Sequence, residues 1–93
     1  MGICIEIEKE FENNESVVYR FGFNLEDECE PFGKFEITKR SQNTILDIND
    51  IKRIDENPDI LDSIYFRAAI KIFRHCEKDS SGEFPDKLLY AAG

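Results

Sequence analysis

The sequence predicts an α+β fold of two layers, in which an antiparallel sheet of three or four strands carries one main helix on a face. Two observations lead to this class. Three segments alternate apolar and polar residues with the period of two that half-buried strands show. One later segment, residues 58–76, repeats apolar residues at spacings of three and four, as an amphipathic helix does. The length of 93 residues predicts a single globular domain over residues 1–93.

The first two strands are predicted to form a hairpin. Residues 3–8 alternate isoleucine with cysteine or glutamate, which gives one apolar and one wet face. Residues 17–23, VVYRFGF, are rich in the β-branched and aromatic side chains that favour strands. Between these segments, NNES at 13–16 has the composition of a turn.

Two further strands are predicted after an acidic segment. Residues 34–40, KFEITKR, place Phe35 and Ile37 on one face. Residues 41–50, SQNTILDIND, begin with turn-forming residues and then alternate, with Leu46 and Ile48 sharing a face. The fourth strand is therefore expected within residues 41–50.

The helix is predicted over residues 58–76. Asn57 is expected at the N-cap, with Pro58 in the first turn and Asp59 near the positive end of the helix dipole. A second apolar row beside the main stripe predicts that part of the helix flank is also covered. The tail at 84–93, FPDKLLYAAG, is apolar enough to dock back on the domain. The main stripe consists of Leu61, Ile64, Tyr65, Ala68, Ala69, Ile72 and Cys76, and the second row of Phe66, Ile70 and Phe73.

The charge of the chain is strongly negative and unevenly placed. The net charge is −8, and residues 1–33 hold nine acids against two bases. A field of this sign repels nucleic acid and anionic membranes and attracts basic partners. The expected partner is therefore a protein with a basic surface, and neither direct nucleic-acid binding nor membrane binding is predicted.

The three cysteines indicate a reducing compartment. Cys4, Cys29 and Cys76 are odd in number and far apart, and the chain has no CxxC pattern or metal-ligand spacing. Cys4 and Cys76 are expected to be small core residues. The first residues already carry glutamates, so no signal peptide is expected, and no apolar run approaches the length of a membrane span. We predict a cytoplasmic protein.

The sequence offers no motif for catalysis. It lacks the nucleophile-elbow, phosphate-loop and zinc-protease patterns. His75 is the sole histidine and is expected on the surface near the negative end of the helix. We therefore predict a protein without enzymatic activity, without a catalytic or metal-ligating residue and without a cofactor.

The acidic segments are the candidate binding surface. The stretch NLEDECEPFGKF, residues 24–35, gathers four acids around Cys29, and DINDIKRIDENPD, residues 47–59, holds five more. The first cluster admits three interpretations: a calcium loop, a solvated turn or an interaction surface. It lacks the residue order of a calcium loop, which favours the other two. The second stretch admits the same two interpretations. The candidate partner-binding residues are Glu26, Asp27, Glu28, Glu30, Asp47, Asp50, Asp55, Glu56 and Asp59.

Four segments together resemble a known class of protein. The strand YRFGF, the strand GKFEI, the helix segment FRAAIKIFRH and the closing GEFPDKLLYAA are similar to small bacterial immunity proteins, the antitoxins of contact-dependent growth inhibition systems. The resemblance covers about Val17 to Ala92. It implies a cytosolic protein that binds and blocks a toxin domain, commonly a nuclease whose nucleic-acid groove is basic. No residue-level role follows from it.

These observations lead to one functional hypothesis and one alternative. The first is an immunity protein that neutralises a cognate basic toxin domain, with the acids of residues 26–30 mimicking phosphate charge and steering association. The alternative is a small cytosolic enzyme or ligand-binding subunit that uses a pocket between sheet and helix.

Overall fold

The fold is a five-stranded antiparallel sheet with one helix, as seen in a computed structural model that describes residues 3–23, 32–39, 48–78 and 83–92. The predicted α+β class is confirmed, with five strands instead of three or four. The sheet order is β4-β3-β2-β1-β5. The strands are β1 (Ile3–Glu12), β2 (Ser16–Gly22), β3 (Phe32–Thr38), β4 (Ile51–Arg53) and β5 (Lys87–Ala92). The helix is α1 (Asp62–Lys78), and a single 3-10 turn spans Ile48–Asp50.

The predicted β1–β2 hairpin is present, and its turn is closed by one asparagine. The Asn13 side chain accepts hydrogen bonds from the backbone amides of Glu15 and Ser16, both at 2.8 Å. Asn13 also donates its own amide to the Ser16 carbonyl at 2.9 Å. In the turn, where no neighbouring strand supplies an acceptor for these backbone amides, the Asn13 side chain supplies one.

Strand β1 contains a β-bulge. Lys9 pairs with Tyr19 and Phe11 with Val18, so Glu10 is an extra residue on β1. Strict alternation from Ile7 through Lys9 would direct Phe11 toward the core. The bulge instead moves Phe11 to the face of the sheet that points away from α1, which we call the open face. Phe11 is 53% exposed there.

The core lies between α1 and one face of the sheet. Tyr19, Phe21 and Phe35 are fully buried, and the half-buried Tyr65 of α1 packs on Phe21 and Phe35 with ring centroids about 6 Å apart. Two tyrosine hydroxyls are satisfied by backbone carbonyls: Tyr19 donates to Pro85 at 2.6 Å and Tyr65 to Ile51 at 3.0 Å. The aromatic residues therefore fill the interior and also tie the core to the chain segments around it.

The apolar stripe of α1 is confirmed, although its edges differ from the prediction. Ile64, Ala68, Ala69, Ile72 and Cys76 are buried against the sheet. Leu61, predicted within the helical stripe, precedes the helix and is 66% exposed.

The prediction that part of the helix flank is covered is confirmed at Phe73, which packs against the core. The other two residues of the second apolar row, Phe66 and Ile70, are exposed.

Several element boundaries differ from the prediction, most of all those of the fourth strand and of the helix start. The fourth strand is Ile51–Arg53, whereas residues 41–47 lie outside the described residues and Ile48–Asp50 forms the 3-10 turn. The helix begins at Asp62 and not at Pro58. Asn57 instead closes a turn: its side chain accepts the Asp59 amide at 3.0 Å and its carbonyl accepts the Ile60 amide at 3.3 Å.

The prediction that Cys4 is a core residue is wrong. Cys4 is exposed on the open face of the sheet. Cys76, on α1, is buried between the helix and the sheet, as predicted. The alternation of β1 explains this, since Ile5 and Ile7 occupy the core face and their neighbours point the other way. Neither Cys4 nor Cys76 forms a disulfide with a described residue.

The predicted docking of the chain tail takes the form of strand β5. It pairs with β1 from Ile3 opposite Ala92 to Glu8 opposite Lys87. Leu88 and Tyr90 pack against the core, and Leu89 on the other face is exposed. Within the described ranges, no helix is long and apolar enough to cross a lipid bilayer.

Candidate functional site

One arginine organises the chain between β4 and α1. The Arg53 guanidinium donates to both carboxylate oxygens of Asp55, each at 2.8 Å, and to Asp62 at 2.7 Å. It also donates to the carbonyls of Asn57 at 3.0 Å and Ile60 at 2.9 Å. The turn at Asn57 thus directs two carbonyls at Arg53, which explains why Asn57 does not cap the helix. We call these five residues the Arg53 cluster.

The Asp55 carboxylate is the most constrained acid of the cluster. Its side chain is only 9% exposed. Burial alone would raise the pKa of Asp55, but hydrogen bonds from Arg53 and from the backbone amides of Lys34 and Asn57 outweigh burial and lower this pKa to about 2. Asp55 is therefore ionised at neutral pH, with its oxygens occupied by donors of the same chain.

The Arg53 cluster is bonded to the beginning of β3. Asp55 accepts the Lys34 amide at 2.9 Å, and the Asn57 side-chain amide donates to the Phe32 carbonyl at 3.1 Å. Gly33 lies between these contacts. A Cβ atom there would approach Phe21 to 2.5 Å and the Asp55 carboxylate to 2.8 Å, so only glycine fits.

This attachment brings the second acidic stretch to the end of the sheet at which β3 begins. Phe32 follows the acidic segment 24–31 directly, and it is bonded to the second acidic stretch through Asn57. Residues 50–62 carry five acids and two bases. Glu56 and Asp59 are exposed, and Asp50, in the 3-10 turn that leads into β4, is half-buried.

The remaining predicted site residues fall elsewhere. Asp47 and the four acids of the first cluster, Glu26, Asp27, Glu28 and Glu30, lie outside the described residues, as does Cys29. Their part in binding stays a prediction.

Exposed apolar side chains accompany the acids at this end. Phe23 and Phe32 flank the acidic segment 24–31 and are 40% and 39% exposed. Leu61 lies beside the Arg53 cluster in a shallow pocket and is more exposed still. We call residues 54–62, together with Phe23 and Phe32, the acidic end. It combines negative charge with four large exposed apolar side chains, since Ile54 is also 45% exposed, and this combination suits a protein-binding surface.

A basic groove lies at the opposite edge of the sheet, between the C-terminal half of α1 and strand β5. Its volume is about 450 Å³. It is lined by Lys71, Arg74, His75, Lys78, Tyr90 and Ala91. From the sequence, His75 is predicted on the surface near the negative end of the helix, and no groove is predicted there. The spacing of the four groove residues of α1 along one helix face is visible in the sequence, but the adjoining strand is not.

The space between α1 and the central strands is filled by side chains. Tyr19, Phe21, Phe35 and Ile72 are fully buried there. Among the described residues, a pocket between sheet and helix, as the alternative hypothesis requires, is present at the β5 edge, as the basic groove. Within the same residues, no three His, Cys, Asp or Glu side chains form a group that could hold a metal ion.

Comparison of the chain with protein-family models, with curated proteins and with solved structures finds no match.

Proposed function

We propose that this chain is an immunity protein, a cytoplasmic antitoxin that binds and neutralises a cognate toxin domain with a basic surface, such as a nuclease. The observation that carries the proposal is the acidic end, where the bond between Asn57 and Phe32 joins the second acidic stretch to the point at which the first one ends. A negative surface of this kind attracts a basic groove over distance and occupies the phosphate positions within it.

The acidic end also supplies the apolar contacts that a stable complex needs. A standard interface covers about 800 Å² on each partner, roughly one eighth of the 6164 Å² accessible surface of this chain. Charges at the rim of such an interface set the association rate, while apolar anchors at its centre set the residence time. The exposed apolar side chains available as anchors at this end are Phe23, Phe32, Ile54 and Leu61.

The test uses the toxin domain encoded next to the gene for this chain. The purified protein should abolish the activity of that domain at a one-to-one ratio, and co-expression should protect the host cell. The variant Glu56→Lys/Asp59→Lys should weaken inhibition because both side chains are exposed at the acidic end. The matched control is Glu15→Lys/Glu77→Lys, which makes the same change in net charge at two exposed sites elsewhere.

Two results would overturn the proposal. One is the absence of a neighbouring toxin gene together with no inhibition of any basic nuclease domain, which would favour the enzyme or ligand-binding alternative. The other is equal loss of inhibition in both double variants, which would show that net charge, and not the acidic end, is responsible.

A further inference from the structure

Among the described residues, the outer edge of β5 is not covered by another strand. In the sheet order, β5 is terminal, and it pairs with β1 on one side only. No described residue pairs with its other side. The strand KLLYAA spans six residues, with Lys87 at its start and no proline or acid within it. Natural sheets usually protect such an edge with charge, proline or a covering element, because exposed backbone amides and carbonyls accept another strand.

Three cationic side chains of α1 line the basic groove beside β5. Lys71, Arg74 and Lys78 line the basic groove together with Tyr90 and Ala91 of β5. No carboxylate of the described residues forms an ion pair with any of the three, although the chain carries 20 acids. Glu77 lies on the same helix but makes no ion pair with them. The groove is thus a local excess of positive charge on a protein with a net charge of −8.

We propose that the outer edge of β5 binds an extended acidic segment of a partner protein, which adds to the sheet as a sixth strand. Backbone pairing with β5 would hold the segment, since strand addition at a free edge is a common mode of peptide recognition. The cations of α1 would select its sequence. This site is separate from the acidic end and takes a partner of opposite charge, so the inference does not depend on the proposed function.

The two faces of the sheet define the side-chain pattern of the bound segment. Alternate residues of an added strand face the α1 side and lie beneath Lys71, Arg74 and Lys78, where aspartate or glutamate is favoured. The residues between them face the other side, beside the exposed Leu89 and Ala91, where apolar side chains are favoured. The predicted ligand therefore alternates acidic and apolar residues.

Charge argues against a second copy of this chain as the occupant. Two β5 edges that pair about a two-fold axis bring two copies of α1, each with Lys71, Arg74 and Lys78, over the same joint. Like charges in that arrangement repel. An acidic segment instead neutralises the groove.

The probe is a synthetic peptide about seven residues long that alternates glutamate and valine, which is enough to span β5. Fluorescence anisotropy at low salt should detect binding, and amide exchange should show new protection in β5. Lys71→Glu/Arg74→Glu should weaken binding by about tenfold or more, as expected for two reversed contacts of a few-fold each. The matched control is Lys52→Glu/Arg67→Glu, which changes net charge equally outside the groove lining.

Three peptide and ligand controls decide the mode of binding. A peptide of the same composition with its glutamates in one block should bind less well because its acids cannot all face α1. A peptide with a central proline should also bind less well because it lacks a pairing amide. Equal binding of either peptide, complete competition by inorganic pyrophosphate, or no binding at roughly 1 mM peptide would overturn the proposal. A concentration-dependent dimer whose amide protection maps to β5 would also contradict it.

Discussion

Asp55 shows how a residue can look like part of a binding surface in the sequence and yet serve the fold in the structure. It belongs to an acidic stretch, but its carboxylate accepts hydrogen bonds from Arg53, Lys34 and Asn57 of its own chain. The exposed neighbours Glu56 and Asp59 remain accessible to a partner. Composition cannot distinguish these roles, because the difference lies in which backbone amides come within reach after folding.

The lowered pKa of Asp55 predicts a specific loss of stability in acid. Because the folded-state pKa is about 2 and the unfolded value is near 3.9, the charged form stabilises the fold above the unfolded pKa. That stabilisation is lost as pH falls from about 5 toward 2 and amounts to about 2 kcal/mol. Asp55→Asn should therefore be less stable than wild type at pH 7, and the difference should shrink at low pH. Urea unfolding over a pH series measures both effects.

The exposed acid Asp59 provides the control for this experiment. Asp59→Asn removes the same charge a few residues away and should leave the free energy of unfolding within about 0.5 kcal/mol of wild type at every pH. A pH-independent difference between Asp55→Asn and wild type would show that the carboxylate stabilises the fold through packing and not through its charge.

At the scale of elements, local patterns and long-range contacts explain different parts of the structure. The alternation in β1, β2 and β3 and the stripe of α1 follow from the geometry of strand and helix, so sequence reasoning located them. Strand β4 has only three residues and is defined by pairing with β3. Such a strand has too few positions to show a period.

The helix start illustrates a different limit of sequence reasoning. Asn57, Pro58 and Asp59 have the composition of a helix N-terminus, but the same residue types also favour turns. Arg53 favours the turn over the helix, because its guanidinium donates hydrogen bonds to the carbonyls of Asn57 and Ile60. These bonds join β4 to the turn, and the local sequence does not reveal them.

The placement of the thiols on β1 and α1 predicts graded reactivity. Cys4 lies on the open face of the sheet and Cys76 under the helix on the other face, so a disulfide between them is excluded without refolding. All three cysteines should be reduced in freshly isolated protein. In native protein, iodoacetamide should modify Cys4 rapidly and Cys76 only after denaturant is added.

Mass spectrometry of the alkylated protein separates the outcomes for the thiols. Cys4→Ser is the control, because it should remove the fast-reacting thiol and leave the protection of Cys76 unchanged. Rapid modification of Cys76 in the native protein would contradict the packing of α1 on the sheet, and a Cys4–Cys76 bridge would contradict the topology.

At the scale of the whole molecule, two surfaces of opposite charge lie at different edges of the sheet. The acidic end lies beside β4 and the basic groove beside β5, with α1 crossing between them. The acids near β4 and the excess of acids in residues 1–33 are both readable in the sequence. The basic groove is not, because the pairing of β5 with β1 brings residues 87–92 beside the helix.

The proposed function predicts that the acids and the apolar anchors act on different rate constants. Reversal of Glu26, Asp27, Glu28 and Glu30 to lysine should slow association with the toxin domain markedly at low salt. The effect should be smaller at high salt, where the Debye length falls to about 3 Å. Phe32→Ala should instead raise the dissociation rate, by about tenfold or more if Phe32 is a central anchor.

Stopped-flow kinetics over a salt series measures both rate constants. Phe11→Ala is the matched control for Phe32→Ala, because Phe11 is also an exposed phenylalanine of the open face but lies toward the opposite end of the sheet. Association rates that are equal for wild type and the reversed variant at every salt concentration would place the binding face away from residues 26–30.

The bulge in β1 has a consequence for changes in chain length. A deletion within a strand normally transfers every following side chain to the other face of the sheet. Glu10 is the extra residue of the bulge, so its removal leaves Lys9 opposite Tyr19, Phe11 opposite Val18 and Glu12 opposite Val17, as they are now. Its carboxylate forms an exposed ion pair with Lys34, which such a deletion would remove at little cost in stability. Position 10 is therefore where β1 should tolerate a shorter chain, while deletion of Glu6 should unfold the sheet, a contrast that thermal melts of the two variants would reveal.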